Sequence, residues 1–277
     1  MKHIQFRTDK VTTVRIVLLT GLLAGFFPDT AHASWARRAS QINSRAVGRD
    51  EARAAADEEH PDRRNKLSMR RINPADEGLD WNTDPTALPF MLYQVNRRTD
   101  LPIYVDNDGL DLTTDDLFES LTVYLTGHYG WSLDEAESEN LAIWLRRGGT
   151  LLLDDCYNMG SPFTDSVHPE VGKLIPDADP RMVLRGDPKV SHVFNMVYDM
   201  PWPGEGMGFM RPWQYYPLDG RPAVFFTPND DGCGWEVSTP PTASNPLGEG
   251  IGHGGDNRAR ELFYKWISNW MMYAYSH

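Results

Sequence analysis

The sequence predicts an α/β protein, a three-layer sandwich in which helices cover both faces of a mostly parallel central sheet. Short apolar runs occur at 121–127, 150–155 and 223–227, and such runs are typical of strands buried on both faces. Helical patterns alternate with these runs. A strand–helix–strand order with doubly buried strands indicates parallel strands joined by helices that pack on the sheet.

The remaining elements of the predicted sandwich have local signals. Residues 83–85 (Thr-Asp-Pro) predict a helix start with Thr83 or Asp84 as the cap, and residues 101–106 predict a short strand. Residues 132–135 open a second helix that stops before Gly148. A last helix begins near Asp256 and places large apolar side chains on one stripe.

The N-terminal residues 1–33 have the pattern of a cleaved secretory signal. Four basic residues precede and flank the apolar run Ile16–Phe27, whose 12 residues are too few to span a bilayer comfortably. Small residues at Ala31 and Ala33 fit a cleavage site. We therefore expect cleavage near Ala33, a periplasmic or secreted protein, and no transmembrane span in the mature chain. An uncleaved membrane anchor is the alternative.

Composition divides the rest of the chain into residues 34–73, a charged flexible linker, and residues 74–277, the α/β domain. The linker carries ten basic and six acidic residues and few large apolar ones, so it offers nothing to bury. The domain carries 13 basic and 31 acidic residues, a balance of −18. Such a surface disfavours nucleic acid as a partner. The Pro- and Gly-rich segment 237–256 is expected to be a mobile loop.

Polar side chains gather where the predicted strands end. Because ligands of parallel α/β sheets bind outside the carboxyl ends of the strands, these residues are the candidate ligand-binding set. The candidates are His128, Asp154, Asp155, Asn229 and Asp230. The cysteines Cys156 and Cys233 follow two of the same strands.

Several motifs resemble an uncharacterised bacterial family, domain of unknown function 4159. They include "WNTDPTALP", "YLTGHYGWSLDEAE", "LRRGGTLLLDD", "NDDGCGWE" and "SNWMMYAYSH", in this order from about residue 80 to the C-terminus. The segment 124–156 also resembles class I glutamine amidotransferase-like domains. These resemblances imply a flavodoxin-like or amidotransferase-like sheet, with Cys156 at the spacing of the catalytic cysteine.

The two cysteines allow two interpretations. A thiol amidohydrolase would use Cys156 with a histidine and an acid, and His168 and Glu170 mimic that pair. However, small neighbours are absent around Cys156, and adjacent carboxylates would raise the pKa of its thiol. A disulfide between Cys156 and Cys233 is the stronger interpretation for an exported chain.

The strand-end carboxylates also allow two interpretations. His128, Asp154, Asp155 and Asp230 have residue types that suit a divalent metal. Alternatively, Asp154 or Asp155 caps backbone amides and His128 bonds backbone. Without a cation, substitution of Asp154 or Asp155 by Asn would be neutral or stabilising if repulsion dominates and destabilising if the carboxylate caps amides.

The function predicted from these observations is that of an exported envelope protein whose domain is a non-catalytic module for an unknown envelope ligand or protein. The alternatives are a hydrolase that uses the strand-end His/Asp residues, with a metal or as an acid–base pair, and a thiol amidohydrolase that uses Cys156.

Overall fold

The computed structural model describes most of the predicted domain. The described residues are 66–157, 160–184, 186–187, 189, 193–194, 211–250 and 257–277. The predicted signal peptide, 1–33, and linker residues 34–65 lie outside them. In the part of the chain that is described, no helix is long and apolar enough to cross a membrane.

A six-stranded, mostly parallel sheet forms the centre of the fold. Its strands, in spatial order, are β1 (Arg70–Arg71), β2 (Thr122–Gly127), β3 (Thr150–Asp155), β6 (Arg221–Thr227), β5 (Gln214–Leu218) and β4 (Arg181–Met182). The first four are parallel, and β5 and β4 are antiparallel to their neighbours. The predicted strands at 121–127, 150–155 and 223–227 are confirmed. A separate antiparallel pair joins β7 (Val237–Thr239) and β8 (Glu249–Gly250).

Five α-helices and one 3-10 helix lie among the described residues. They are α1 (Ala87–Thr99), the 3-10 helix Asp115–Glu119, α2 (Glu135–Arg146), α3 (Pro162–Leu174), α4 (Asp231–Trp235) and α5 (Asn257–Ser276). Asp134 caps α2 with a reciprocal capping box to Glu137, within the helix start predicted at residues 132–135. The C-terminal helix is also confirmed.

The helices pack on both faces of the sheet. On one face, α1 and α5 bury Met91, Trp266 and Trp270 against a core that includes Tyr124 and Phe225. On the other face, α2 and α3 bury side chains against the opposite sides of the same strands. This second core includes Trp144, Phe163, Val123, Leu151 and Phe226. Alternate strand residues therefore face opposite cores, which explains why the strands are apolar throughout.

The connections that follow β1 and β2 run in opposite directions along the sheet. Parallel bridges join Leu67 to Ile103 and Ile72 to Leu110, on the side of β1 that faces away from β2. The connection through α1 therefore leads outward past β1, whereas α2 leads from β2 to β3 on the other side. Such a reversal leaves a crevice at the carboxyl ends of the two strands that diverge.

The domain begins earlier than predicted. Residues 67–73, which the composition placed in the linker, contribute β1 and its flanking bridges. Arg71 is fully buried, as are Met69 and Ile72. The predicted boundary at residue 74 is too late because it was drawn from composition. Composition does not distinguish a buried pair of arginines, such as Arg70 and Arg71, from a solvated pair.

Three further predictions differ from the structure. Helix α1 begins at Ala87 with Thr86 as its cap residue, so neither Thr83 nor Asp84 caps it. The predicted strand at 101–106 pairs only through Ile103. The segment 237–256 was expected to be a mobile loop, yet its first part contains the β7–β8 pair; residues 251–256 lie outside the described residues.

The β5–β6 hairpin was missed although its turn has a strong signal. Leu218 pairs with Arg221, so Asp219 and Gly220 form a two-residue loop. Both residues have positive φ, 49° and 83°. Asp-Gly is a preferred sequence for such a turn because both positions require a left-handed backbone.

Truncation tests the corrected boundary. Deletion of residues 34–73 removes β1 with Arg71 and is expected to prevent cooperative folding, because the six buried residues 67–72 and the outer parallel ladder are lost. Deletion of 34–65 leaves every described residue in place and should change the melting temperature by less than about 2 °C. Circular dichroism melts compare the two; a large loss in the shorter deletion would contradict this boundary.

Candidate functional site

The crevice at the carboxyl edge of the sheet brings together residues from four chain segments. His128 follows β2, Cys156 follows β3, and Asp230 and Cys233 follow β6. The loop between β1 and α1 adds Asp80, Thr83 and Asp84. Polar residues that follow three of the predicted strands therefore lie at this edge, together with residues that the sequence analysis did not assign to it.

The inner part of the crevice holds two carboxyl groups and two thiols. These belong to Asp84, Cys156, Asp230 and Cys233, whose ligand atoms all lie within 4.8 Å of one another. The sulfur of Cys156 is 3.4 Å from Asp84 Oδ2, and the sulfur of Cys233 is 3.5 Å from Asp84 Oδ1. Asp84, Cys156 and Asp230 are buried, and Cys233 is half-buried. We call these four residues the Asp/Cys cluster.

The predicted disulfide is absent. Cys156 and Cys233 are both free, and their sulfurs are 3.9 Å apart, whereas an S–S bond is about 2.05 Å long. The ends of β3 and β6 bring the two cysteines together, and the thiols contact the Asp84 carboxylate as well as each other. The pairing prediction was wrong because it did not include Asp84 in the crevice.

Asp154 anchors the chain that leads into the cluster. Its carboxylate accepts hydrogen bonds from the Tyr124 hydroxyl at 2.7 Å, the amide of Gly232 at 2.7 Å and the amide of Asp231 at 3.1 Å. A side chain at Gly232 would place its Cβ 2.7 Å from both the Tyr124 hydroxyl and Asp84 Oδ2. Glycine is therefore required for the backbone to approach Asp154 this closely.

Negative charge is poorly compensated in this crevice. Burial raises the pKa of Asp84, although the Arg71 guanidinium opposes the shift. Burial and the neighbouring Asp154 raise the pKa of Asp230 to about 8. Burial also raises the pKa of Asp154 to about 7, against the opposing hydrogen bond from Tyr124. Protons or a cation must therefore accompany these carboxylates at neutral pH.

The thiols respond to the same environment. The hydrogen bond with Cys233 lowers the pKa of Cys156, but burial and the carboxylates of Asp84, Asp230 and Asp154 outweigh it and raise the value to about 12. The hydrogen bond with Cys156 and burial raise the pKa of Cys233. Without a cation, both cysteines are protonated thiols and poor nucleophiles.

The outer part of the crevice is organised around His128. Its backbone amide donates to Asp80 Oδ1 at 2.8 Å, and its ring Nδ1 lies 2.5 Å from Asp80 Oδ2. Thr83 Oγ1 lies 3.2 Å from the same ring nitrogen and 3.9 Å from the sulfur of Cys156. Tyr129 and Tyr157 approach the imidazole edge-on, with ring centroids 6.3 and 6.1 Å away.

Comparison with known protein families identifies the family of this chain. A family model described as Domain of unknown function (DUF4159) matches residues 69–275. The chain belongs to this family. A search of curated proteins finds no match. The start of the matched region also agrees with the structured β1 and not with the predicted boundary at residue 74.

The other predicted site residues of this DUF4159 domain bind its own chain. Asp155 accepts hydrogen bonds from the amide of Tyr157 and from the hydroxyl groups of Ser161 and Thr164, so it fixes the entry to α3. Asn229 bonds both the amide and the carbonyl of Arg211. Of the four predicted metal ligands, only Asp230 belongs to the Asp/Cys cluster.

The residues that mimic an amidotransferase pair lie elsewhere in the DUF4159 domain. Glu170 accepts from the amide of Leu133 and pairs with Lys173. His168 is exposed and stacks on Tyr216. Among the described residues, Thr83 Oγ1 lies between the imidazole of His128 and the sulfur of Cys156.

Three residues of this site were missed from the sequence. Asp84 was interpreted as a helix cap, Asp80 was not singled out, and Arg71 was placed in the linker. All three belong to β1 or to the loop that follows it. Once β1 is recognised as a strand, the rule that ligands bind beyond strand ends would have found the acidic loop 80–84.

Proposed function

We propose that this DUF4159 domain is a ligand-binding module of an exported envelope protein, and that His128 is the centre of its binding site. The observation that carries the proposal is the fixed, half-exposed imidazole at the edge where the chain reverses direction. Asp80 bonds both the amide and Nδ1 of His128, and no described residue bonds its Nε2. The apolar run and small-residue pattern of residues 1–33 support export and cleavage near Ala33.

The surroundings of His128 support a small ligand that is uncharged or cationic. Tyr129 and Tyr157 are 58% and 67% exposed, and both flank the imidazole. Aromatic faces beside a hydrogen-bonding imidazole suit an apolar ring or a cation with polar substituents. The carboxylate of Asp80 and the domain balance of −18 disfavour an anion.

The order of the parallel segments supports a flavodoxin-like arrangement for this module. The segment around Ile103, β1, β2, β3 and β6 are neighbours in that order, which is 2-1-3-4-5 in chain order. In such sheets the ligand lies at the reversal between the first two diverging strands. His128 follows β2 and Asp80 follows β1, so the pair lies at that reversal.

A hydrolase is the second candidate because a carboxylate–imidazole pair is suited to acid–base chemistry. Asp80 holds Nδ1 and would stabilise an imidazolium, which leaves Nε2 to take a proton from water that attacks a bound substrate. A thiol amidohydrolase has less support, because carboxylates surround Cys156 and raise the pKa of its thiol.

Ligand screening tests the proposal with His168 as a matched control. Compounds of low mass, uncharged or amine-bearing, are screened by thermal shift against the wild type, His128→Ala, Asp80→Asn and His168→Ala. We expect compounds that stabilise the wild type and His168→Ala equally, lose at least about tenfold in affinity with His128→Ala, and weaken with Asp80→Asn. Compounds that bind His128→Ala as well as the wild type would contradict the site. Turnover of an ester or amide that depends on His128 would favour the hydrolase.

A further inference from the structure

The strongest unassigned feature of the molecule is the Asp/Cys cluster beneath His128. We propose that Asp84, Cys156, Asp230 and Cys233 bind one divalent transition metal, with Zn²⁺ as the best fit. This inference uses other residues than the proposed ligand site, so either can fail without the other.

The spacing of the side chains matches a tetrahedral zinc site. With Zn–S bonds of about 2.3 Å and Zn–O bonds of about 2.1 Å, tetrahedral ligand atoms lie about 3.8 Å apart for two sulfurs and about 3.6 Å for sulfur and oxygen. The two sulfurs are 3.9 Å apart. The sulfurs of Cys156 and Cys233 lie 3.7 and 3.5 Å from one carboxylate oxygen, Asp84 Oδ1. The three edges that join Asp84, Cys156 and Cys233 therefore have the lengths expected of a tetrahedral site, and Asp230 offers an oxygen within 4.8 Å of the other ligand atoms.

Asp230 gives an independent indication of a missing partner. Its residue is 7% exposed, and its Oδ1 is a buried atom with no hydrogen-bond partner among the described residues. The backbone of Asp230 is left-handed, with φ 57° and ψ 50°. A non-glycine residue in this region is uncommon and frequently marks a functional site. The strained turn directs a second carboxylate into a cluster that already holds Asp84.

The ligand types select among metals. Thiolates bind zinc and other soft or borderline cations, and they disfavour Mg²⁺ and Ca²⁺, which require oxygen ligands. Two thiolates and two carboxylates around Zn²⁺ give a site with a net charge of about −2. The dication at its centre attracts all four anionic ligands and so offsets part of the repulsion among them. Because four protein side chains complete a tetrahedron, the site has no open position and resembles structural zinc sites more than catalytic ones.

The thiols could instead donate S–H···O hydrogen bonds to Asp84 over the same distances. The two cases differ in one measurable property, because a metal requires thiolates and a hydrogen bond requires thiols. Co²⁺ reports this difference, since cobalt bound to thiolates absorbs by charge transfer and tetrahedral cobalt has intense visible bands. Zn²⁺ is silent and serves as the competitor.

The experiment titrates full-length protein, stripped with a chelator and kept reduced, with Co²⁺ and then Zn²⁺. We expect one equivalent of Co²⁺ with thiolate charge transfer and tetrahedral bands, displacement by Zn²⁺, and a higher melting temperature with Zn²⁺ than with chelator. Loss of an outer-shell partner alone lowers metal affinity by roughly 10–100-fold. Cys233→Ser and Asp84→Asn each remove a direct ligand, so each should lower the Zn²⁺ affinity by more than this.

Two controls keep the outcome decisive. Asp80→Asn alters a neighbouring carboxylate outside the cluster and should leave the cobalt spectrum and the stoichiometry unchanged. Circular dichroism of each stripped variant separates lost binding from lost folding, and the chelator-dependent melt of the wild type needs no variant at all. Absence of thiolate charge transfer in the wild type would overturn the proposal. A Zn²⁺ affinity in Cys233→Ser and Asp84→Asn equal to that of the wild type would also overturn it.

Discussion

Replacement of Arg71 by methionine is expected to lower the free energy of unfolding by about 3–5 kcal/mol, the usual cost of breaking a buried charge network. Arg71 is fully buried on β1. Its guanidinium donates to the carbonyl of Asp84 at 2.6 Å, to the carbonyl of Trp81 and to Asn82 Oδ1. Methionine would remove the guanidinium from these acceptors, of which the Asp84 carbonyl would keep only the bond from the Ala87 amide. It would also remove the cation that opposes the rise in the pKa of Asp84.

The charge alone does not account for this role. Arg71→Lys keeps a cation but cannot donate to three acceptors with the fixed geometry of a guanidinium. We therefore expect its free energy of unfolding to lie between those of the wild type and Arg71→Met. Arg146→Met on the exposed end of α2 is the matched control and should change stability by less than about 0.5 kcal/mol. Urea unfolding of the four proteins gives the comparison. Equal stability of Arg71→Met and Arg146→Met would show that the loop 81–84 does not depend on Arg71.

Arg71 also shows why β1, and the site residues that follow it, could not be predicted from the sequence. Composition separates solvated from buried segments by their apolar content, and a two-residue strand with paired arginines has almost none. The guanidinium of Arg70 pairs with Asp106, and that of Arg71 pairs with the carbonyls of the acidic loop. These partners are distant in sequence or belong to the backbone, so no local pattern identifies them. Because the crevice was predicted from residues that follow strands, Asp80 and Asp84 were not included in it once β1 was missed.

The central strands were predictable for the opposite reason. Strands β2, β3 and β6 are buried on both faces, so each is a continuous apolar run bounded by polar or glycine residues. The parallel arrangement then places His128, Cys156 and Asp230 at one edge without further information. The sequence could not distinguish which side chains of this edge point into the crevice. Asp154 and Cys156 are two positions apart, yet one binds backbone amides and the other belongs to the cluster.

Asp154 is expected to be a structural anchor, and its replacement by alanine should lower the free energy of unfolding by about 3 kcal/mol or more. The two amides of Asp231 and Gly232 and the hydroxyl of Tyr124 would lose their common acceptor in a buried site. Each buried donor left unpaired costs about 1–3 kcal/mol. Removal of a carboxylate whose pKa is raised to about 7 returns part of this cost, so the net loss is smaller than the sum.

Graded substitutions at this anchor separate hydrogen bonding from charge. Asp154→Asn removes the charge but presents an NH2 group to at least one donor, so we expect a loss of about 1–3 kcal/mol and not the stabilisation that charge repulsion alone would predict. Tyr124→Phe removes one donor and should cost about 1 kcal/mol. Asp165→Asn, on the exposed side of α3, is the control for removing an aspartate charge. Thermal melts with and without chelator rank the variants. A more stable Asp154→Asn would mean that repulsion among the buried carboxylates outweighs the three hydrogen bonds that Asp154 accepts.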